Sequence, residues 1–329
     1  MMEIPWLDEV IGRWMRQQEQ GRVPHAVMLI GSAGVGKRCA AAWLAQRALN
    51  TGNVGPRPVY PLTQPVHPDL YWLTPLPEKQ VIGVDQIREL VGELSLTSHD
   101  GGGKVAVIDP ANAMTASAAN SLLKTLEEPP GDALILLIAD RRGWLPATIF
   151  SRCQRMAVPL PDEATALAWL DGIRPGAAWP AALQEAGGAP LAAISALDRL
   201  DETAVMARDL AAVAGRQASP IDVAERWAKH NPDFVLDWLG RQVRHRIVRA
   251  SGGVAMAGKA PMKESVEQRM DSRNLFCYLD MINGLKGQAA GSFNLQLTLE
   301  SLLIDWAEGL AHCRPGAQST ARLQLLGAQ

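Results

Sequence analysis

The stretch Ala26-Val27-Met28-Leu29-Ile30-Gly31-Ser32-Ala33-Gly34-Val35-Gly36-Lys37-Arg38, continuing into an Ala-, Leu- and Gln-rich run that ends at Leu49, decides the fold of this chain. The unbroken apolar run from Ala26 to Ile30 predicts a parallel strand buried on both faces. Gly31, Gly34 and Gly36 predict a loop whose backbone N–H groups can surround a phosphate, and the run from Lys37 predicts a helix whose N-terminus faces the same anion. Strand, glycine loop and helix in this order make a P-loop. The pattern fails at its last position. A Ser or Thr hydroxyl should follow the lysine, because that oxygen holds the Mg²⁺ bridging the phosphates. Here a cation, Arg38, stands where a ligand for a cation is needed. It either repels the metal or swings aside, leaving a weak metal-free site for ADP or a bare phosphate.

Two more apolar runs extend the sheet. Val105-Ala106-Val107-Ile108-Asp109 ends in an acid at the strand's carboxyl end, where open α/β sheets carry their ligand sites, and Leu134 to Ile138 forms a third buried strand. Before the first of these, Val84, Ile87, Leu90, Val91 and Leu94 recur at helical spacing. A second helix from about Ala116 to Glu128 is stopped by Pro129-Pro130. Strands alternating with helices predict a doubly wound parallel sheet. Residues 50 to 68, rich in Pro and Gly, predict an irregular connection.

After Pro159-Leu160-Pro161 the strand-like runs cease. Residues 162–201 predict a small helical domain, with Gly187-Gly188-Ala189-Pro190 separating two of its helices, and residues 202–329 a longer all-helical domain. Within the latter, Asn231-Pro232-Asp233 supplies an N-cap and an N1 proline. Ser251 to Pro261 reads as a Gly/Ala-rich loop. A final helix after Gly291-Ser292, carrying Phe293, Leu295, Leu297, Leu299, Leu302, Leu303, Ile304 and Trp306, is too apolar for one narrow stripe and should pack in a bundle or on another subunit.

Composition narrows the classes. The 329 residues carry a formal charge of -2, so no global basic field points to nucleic acid. The local cluster Arg241, Arg244, His245, Arg246 and Arg249 reads either as a solvated helix face or as a contact to DNA phosphates. The 4 cysteines, Cys39, Cys153, Cys277 and Cys313, form no C-x-x-C pair, which argues against a zinc ribbon or a disulfide framework. Neither an export signal nor an apolar run of about 18 residues is visible, so a cytoplasmic chain with no membrane association is expected.

The chemistry of a P-loop motor is incomplete at several separate positions. Asp109 is followed by Pro110, where such motors carry a Glu that polarises water; Ala139-Asp140 replaces the polar sensor expected after the third strand; and no Arg lies between Gly187 and Leu197, where the helical domain should reach the γ-phosphate. By contrast Asn120-Ser121-Leu122-Leu123-Lys124-Thr125-Leu126-Glu127-Glu128-Pro129-Pro130, Leu145-Pro146 and Ser151-Arg152-Cys153, with Ile4-Pro5-Trp6 and Val23-Pro24-His25-Ala26 before the P-loop, resemble the bacterial clamp-loader AAA+ family over about the first 160 residues.

That resemblance implies a RecA-like α/β P-loop domain over residues 1–161, a helical lid over 162–201 and an all-α collar over 202–329. Motor members of the family keep an intact P-loop and Asp-Glu. This chain is similar to the non-motor branch, which has a degenerate nucleotide site (Gly31, Gly34, Gly36, Lys37, Arg38, Asp109) and retains Ser151, Arg152 and Cys153. The resemblance implies that Arg152 is an arginine finger acting in trans on the ATP site of a neighbouring γ/τ motor subunit, worth about 10³–10⁵ in rate. It also implies a collar shared with γ/τ and the δ subunit, and action on a sliding clamp and primer-template DNA through the DNA polymerase III complex. Members commonly carry a four-cysteine zinc module before the segment matching His67-Pro68-Asp69. Residues 50 to 66 contain no cysteine, so no zinc is expected, and His67 reads as a turn residue. Cys153 has no Cys-His spacing to support a nucleophile and reads as a small buried apolar residue. The competing reading is an active P-loop AAA+ ATPase in DNA replication or repair that supplies the missing groups from elsewhere.

Overall fold

The computed structural model describes residues 1–50, 54–77, 79–99, 101–140, 145–251, 271–286, 294–311 and 313. The loop expected from Ser251 to Pro261 and the residues Gly291 to Phe293 fall almost wholly outside that set. The chain divides into two compact units, Met1–Asp198 and Arg199–Gln329.

The first unit runs β1 (Met2–Glu3), α1 (Asp8–Glu19), β2 (Ala26–Gly31), α2 (Lys37–Ala48), β3 (Val59–Tyr60), β4 (Leu70–Leu73), α3 (Val84–Ser95), β5 (Val105–Ile108), α4 (Ala116–Glu127), β6 (Leu134–Asp140), α5 (Ala147–Phe150), β7 (Gln154–Ala157), α6 (Glu163–Ile173), α7 (Trp179–Glu185) and α8 (Pro190–Leu197). Its main sheet has 5 strands in the order β4-β5-β6-β2-β7, all parallel. The three runs legible as buried strands, β2, β5 and β6, are its interior members. Ile135 and Leu137 of β6 face α3 and α4, meeting Ile87, Leu90, Leu94, Leu122 and Leu126. Alternation sends Leu136 and Ile138 to the opposite face, where α2 packs on β2 and β6. Each such side chain, removed from water on both sides, contributes about 1.5–3 kcal/mol.

The edge strands have a different composition. β7 reads Gln-Arg-Met-Ala with only Met156 buried, and β4 is half-buried throughout. The connection over residues 50 to 68 is less irregular than its prolines suggest, because Val59 and Tyr60 pair antiparallel with Glu3 and Met2. A two-residue strand carries no periodicity to read.

Helix boundaries follow local chemistry. The Thr115 hydroxyl accepts from Ala118 N to start α4, and Pro129 and Pro130 follow its end. Gly187 and Gly188, with φ of 64° and 83°, turn the chain from α7 into α8.

The second unit contains α9 (Leu200–Ala214), α10 (Pro220–Trp227), α11 (Pro232–Ser251), α12 (Ser272–Lys286) and α13 (Leu295–Ala307). Its start lies a few residues before the boundary read from sequence, because α9 runs unbroken through residue 201. Asn231 caps α11 as expected, with Phe234 N donating to its Oδ1 at 3.2 Å. The apolar α13 buries Leu299, Leu302, Leu303 and Trp306 and leaves Leu297 and Ile304 exposed. Trp227 meets Trp238 edge-on, and the Tyr278 hydroxyl donates to Leu302 O at 2.7 Å. The basic cluster of α11 is not a uniformly solvated face. Arg241, Arg244, His245 and Arg246 are half-buried, with the Arg246 guanidinium 4.2 Å from the Trp306 ring centroid; Arg249 is exposed.

Candidate functional site

Parallel strands bring three chemically distinctive residues to the carboxyl end of the sheet: Gly31 at the end of β2, Asp109 just beyond β5, and Asp140 at the end of β6. Register decides what they can do. Gly31 is the direct cross-strand partner of Asp140, so the β6 carboxylate stands beside the first glycine of the loop. Lys37, at the start of α2, turns back into that corner. Its Nζ donates to Gly31 O at 2.7 Å, Ser32 O at 2.9 Å and Asp140 Oδ1 at 2.5 Å, and the side chain is 6% exposed. An ammonium has three protons, and all three are engaged. Its acceptors in this structure are the loop's own carbonyls and Asp140. Asn112 fixes this arrangement by accepting from Asp140 N at 2.8 Å through its Oδ1.

Arg38, 61% exposed, turns its guanidinium to a carboxylate. Its Nε lies 2.7 Å from Oδ2 of Asp109, a carboxylate that is 4% exposed and also accepts from Trp72 Nε1 at 3.3 Å. The acid that holds the metal in a working P-loop site is paired here with a guanidinium from the position of the missing hydroxyl. Lys37 and Arg38 are thus balanced by Asp140 and Asp109, and much of the attraction a P-loop offers a phosphate is neutralised from within.

The space over the loop is also occupied. Gly34 and Gly36 have φ of 76° and 101°, which only glycine adopts without strain. A Cβ on Gly34 would lie 2.4 Å from Cβ of Ala192, so helix α8 sits directly on the loop. Pro190 opens that helix, and the first free N–H, on Leu191, donates to Gly34 O at 2.9 Å. The helix from which an arginine should reach a γ-phosphate offers Leu191 and Ala192 to the loop. On the other flank Trp6 Nε1 donates to Val35 O at 2.8 Å, Ile4 and Leu7 lie 3.6 Å from the Cβ position of Gly36, and Trp6 packs edge-on against Trp169 of α6 at 5.1 Å. Trp169 Nε1 in turn donates to Glu3 O at 2.7 Å. The N-terminal segment thereby ties the glycine loop to α6.

Ser151-Arg152-Cys153 lies at the opposite, amino end of the same sheet, between α5 and β7. The Cys153 side chain is buried against the core that α3 and α4 share with the sheet, and burial pushes its thiol up to about 12. The Ser151 hydroxyl donates to Thr148 O at 3.0 Å. Arg152, 31% exposed, is held on both sides: Nη1 donates to Thr148 O at 3.1 Å and to Ser151 Oγ at 3.2 Å, while Nε donates to Glu127 Oε1 at 2.5 Å and Nη2 pairs with the same oxygen. Serine braces the arginine, cysteine anchors the turn, and the guanidinium stays at the surface. Of these partners, Glu127 escaped the sequence reading, because Glu127-Glu128-Pro129-Pro130 reads as a helix stop.

His67 is a turn residue, its Nδ1 accepting from Asp69 N at 3.0 Å. Among the described residues no three His, Cys, Asp or Glu side chains come together in a manner that could hold a metal, and no helix is long and apolar enough to cross a membrane.

The family profile described as DNA polymerase III, delta subunit, matches residues 6–161. A DNA polymerase III subunit delta′ from Pseudomonas aeruginosa is 32% identical over 324 residues, spanning 92% of this chain and 97% of that protein. The chain belongs to the DNA polymerase III delta-prime family. Its Escherichia coli counterpart of the same description is 32% identical over 203 residues, 59% of this chain and 61% of that one. The crystal structure of a DNA polymerase III gamma subunit-related protein from Thermotoga maritima shares the fold at a TM-score of 0.51 and 21% identity, covering 91% of this chain and 99% of that one. Membership makes this a clamp-loader protein of DNA replication.

Two outcomes follow from the geometry. Arg38→Ala strips the counter-ion from buried Asp109 and should destabilise the chain by about 2 kcal/mol, below the range for a fully buried pair because Arg38 is 61% exposed. Adding Asp109→Asn should cost less than the sum of the single changes, as urea denaturation of the full chain will show. Burial also raises the Cys39 thiol, to about 11, and that of Cys153 to about 12. At pH 8 both stay protonated and shielded, so iodoacetamide should alkylate half-buried Cys277 in the native chain while leaving Cys39 and Cys153 unmodified, as peptide mass mapping will reveal.

Proposed function

We propose that this chain is a non-hydrolysing clamp-loader subunit, a rigid member that lends Arg152 in trans to the ATP site of a neighbouring γ/τ motor subunit while the sliding clamp is placed on primed DNA. The observation that carries this reading is the internal pairing of both P-loop cations, Lys37 with Asp140 and Arg38 with Asp109, beside an intact and braced Arg152. The first half removes the means of holding Mg²⁺ and a triphosphate. The second preserves a cation that has no task in the chain's own nucleotide site, since it lies at the other end of the sheet.

An arginine finger neutralises charge on the transferring phosphoryl group, and its loss costs about 10³–10⁵ in rate at the site it serves. In this reading residues 162–201 act as the lid and 202–329 as the collar with γ/τ and δ, contact with clamp and primer-template DNA is made through the complex, and the assembly works in the cytoplasm as part of the DNA polymerase III holoenzyme. The P-loop needs no cofactor; at most it holds ADP or a bare phosphate weakly. Residues 50 to 66 contain no cysteine, in keeping with a zinc-free chain.

The purified chain should show no Mg²⁺-dependent ATP turnover, and Arg38→Thr should not create any, because Pro110 still stands where water would be polarised. Turnover abolished by Lys37→Ala would overturn the reading. In a reconstituted complex, Arg152→Ala should leave assembly intact and remove DNA-stimulated hydrolysis at one site; an unchanged rate would take Arg152 out of the mechanism. Elemental analysis of the purified chain should find less than a tenth of an equivalent of zinc (roughly the background of a non-binding protein), and one equivalent would refute the zinc-free assignment.

A further inference from the structure

Glu127 occupies a position that helix electrostatics disfavours. It is the last residue of α4, whose C-terminal carbonyls carry partial negative charge, and Glu128 follows it at the C-cap. Two carboxylates at a helix C-terminus repel both the helix dipole and each other. What offsets this for Glu127 is Arg152: one carboxylate oxygen takes both Nε and Nη2, while Thr148 O and Ser151 Oγ take Nη1 from the other side. Contacts on Nε, Nη2 and Nη1 together fix the plane of the guanidinium as well as its position. The link is also long in sequence, joining α4 to the turn before β7.

We infer that Glu127 is a positioning residue for the arginine finger, setting the orientation in which Arg152 is offered to a neighbour's phosphate. This rests on the reading of Arg152 given above. A planar donor aimed at an anion must be presented within a narrow angular range, and a misplacement of about 1 Å can cost 10²-fold in rate. Glu127 touches no phosphate in this scheme, so its removal should lower turnover without weakening ATP binding.

The test uses the full chain reconstituted with the motor subunits and δ, measuring DNA-stimulated ATP hydrolysis for the unaltered chain, Glu127→Gln, Glu127→Asp, Arg152→Ala and the double variant Glu127→Gln/Arg152→Ala. Glu127→Gln should lower kcat at the served site by about tenfold with KM for ATP within about twofold of normal. Glu127→Asp should recover part of that loss, and the double variant should be no slower than Arg152→Ala alone. Assembly should match the unaltered chain for each variant. If Arg152→Ala slows hydrolysis but Glu127→Gln does not, or accelerates it, the role assigned to Glu127 is wrong. Additive losses in the double variant would also overturn it. If Arg152→Ala has no effect, the failure lies in the finger assignment itself.

Discussion

The contact on which the site depends is the one between the Lys37 ammonium and the Asp140 carboxylate. It sets the electrostatic character of the glycine loop. A P-loop lysine is useful to a nucleotide only while its protons lack better acceptors, and Asp140 supplies a full negative charge at hydrogen-bonding distance in a corner where the lysine is almost wholly buried. Exchanging that partner for a phosphate would mean giving up an ion pair whose ammonium is buried, although Asp140 itself is 45% exposed. Arg38 and Asp109 repeat the arrangement one residue further along. Each P-loop cation thus has a carboxylate partner within the chain, beside glycines held at positive φ.

The polarity of a parallel sheet sets the P-loop and Arg152 apart. Everything that would act on the chain's own nucleotide comes from carboxyl ends of strands, whereas Arg152 and the residues bracing it lie at the amino end. The two sets share no side chain and are separated by the length of the strands. A substitution at one end therefore need not alter contacts at the other.

Much of this was legible from sequence and some was not, for identifiable reasons. β2, β5 and β6 announced themselves because interior parallel strands are apolar on both faces, while β4 and β7 did not because edge strands tolerate Gln, Arg and Tyr. The missing hydroxyl, the proline after Asp109 and the absent lid arginine are all visible as departures from a motif. What replaced them is not, because pairing depends on register: Asp140 meets Lys37 only because β6 lies beside β2 with Asp140 opposite Gly31. Glu127 was hidden more thoroughly, since within its own segment it looks like an ordinary end of a helix and its partner is 25 residues away.

The hydrogen bond from Leu191 N to Gly34 O has a thermodynamic consequence. A ligand can shift a conformational equilibrium only by as much as it prefers one state over the other. Here α8 rests on the glycine loop through that backbone bond and the closely packed Ala192, so the chain's own atoms bring the two together. A ligand that changed the angle between the sheet and α8 would have to offset the loss of both contacts.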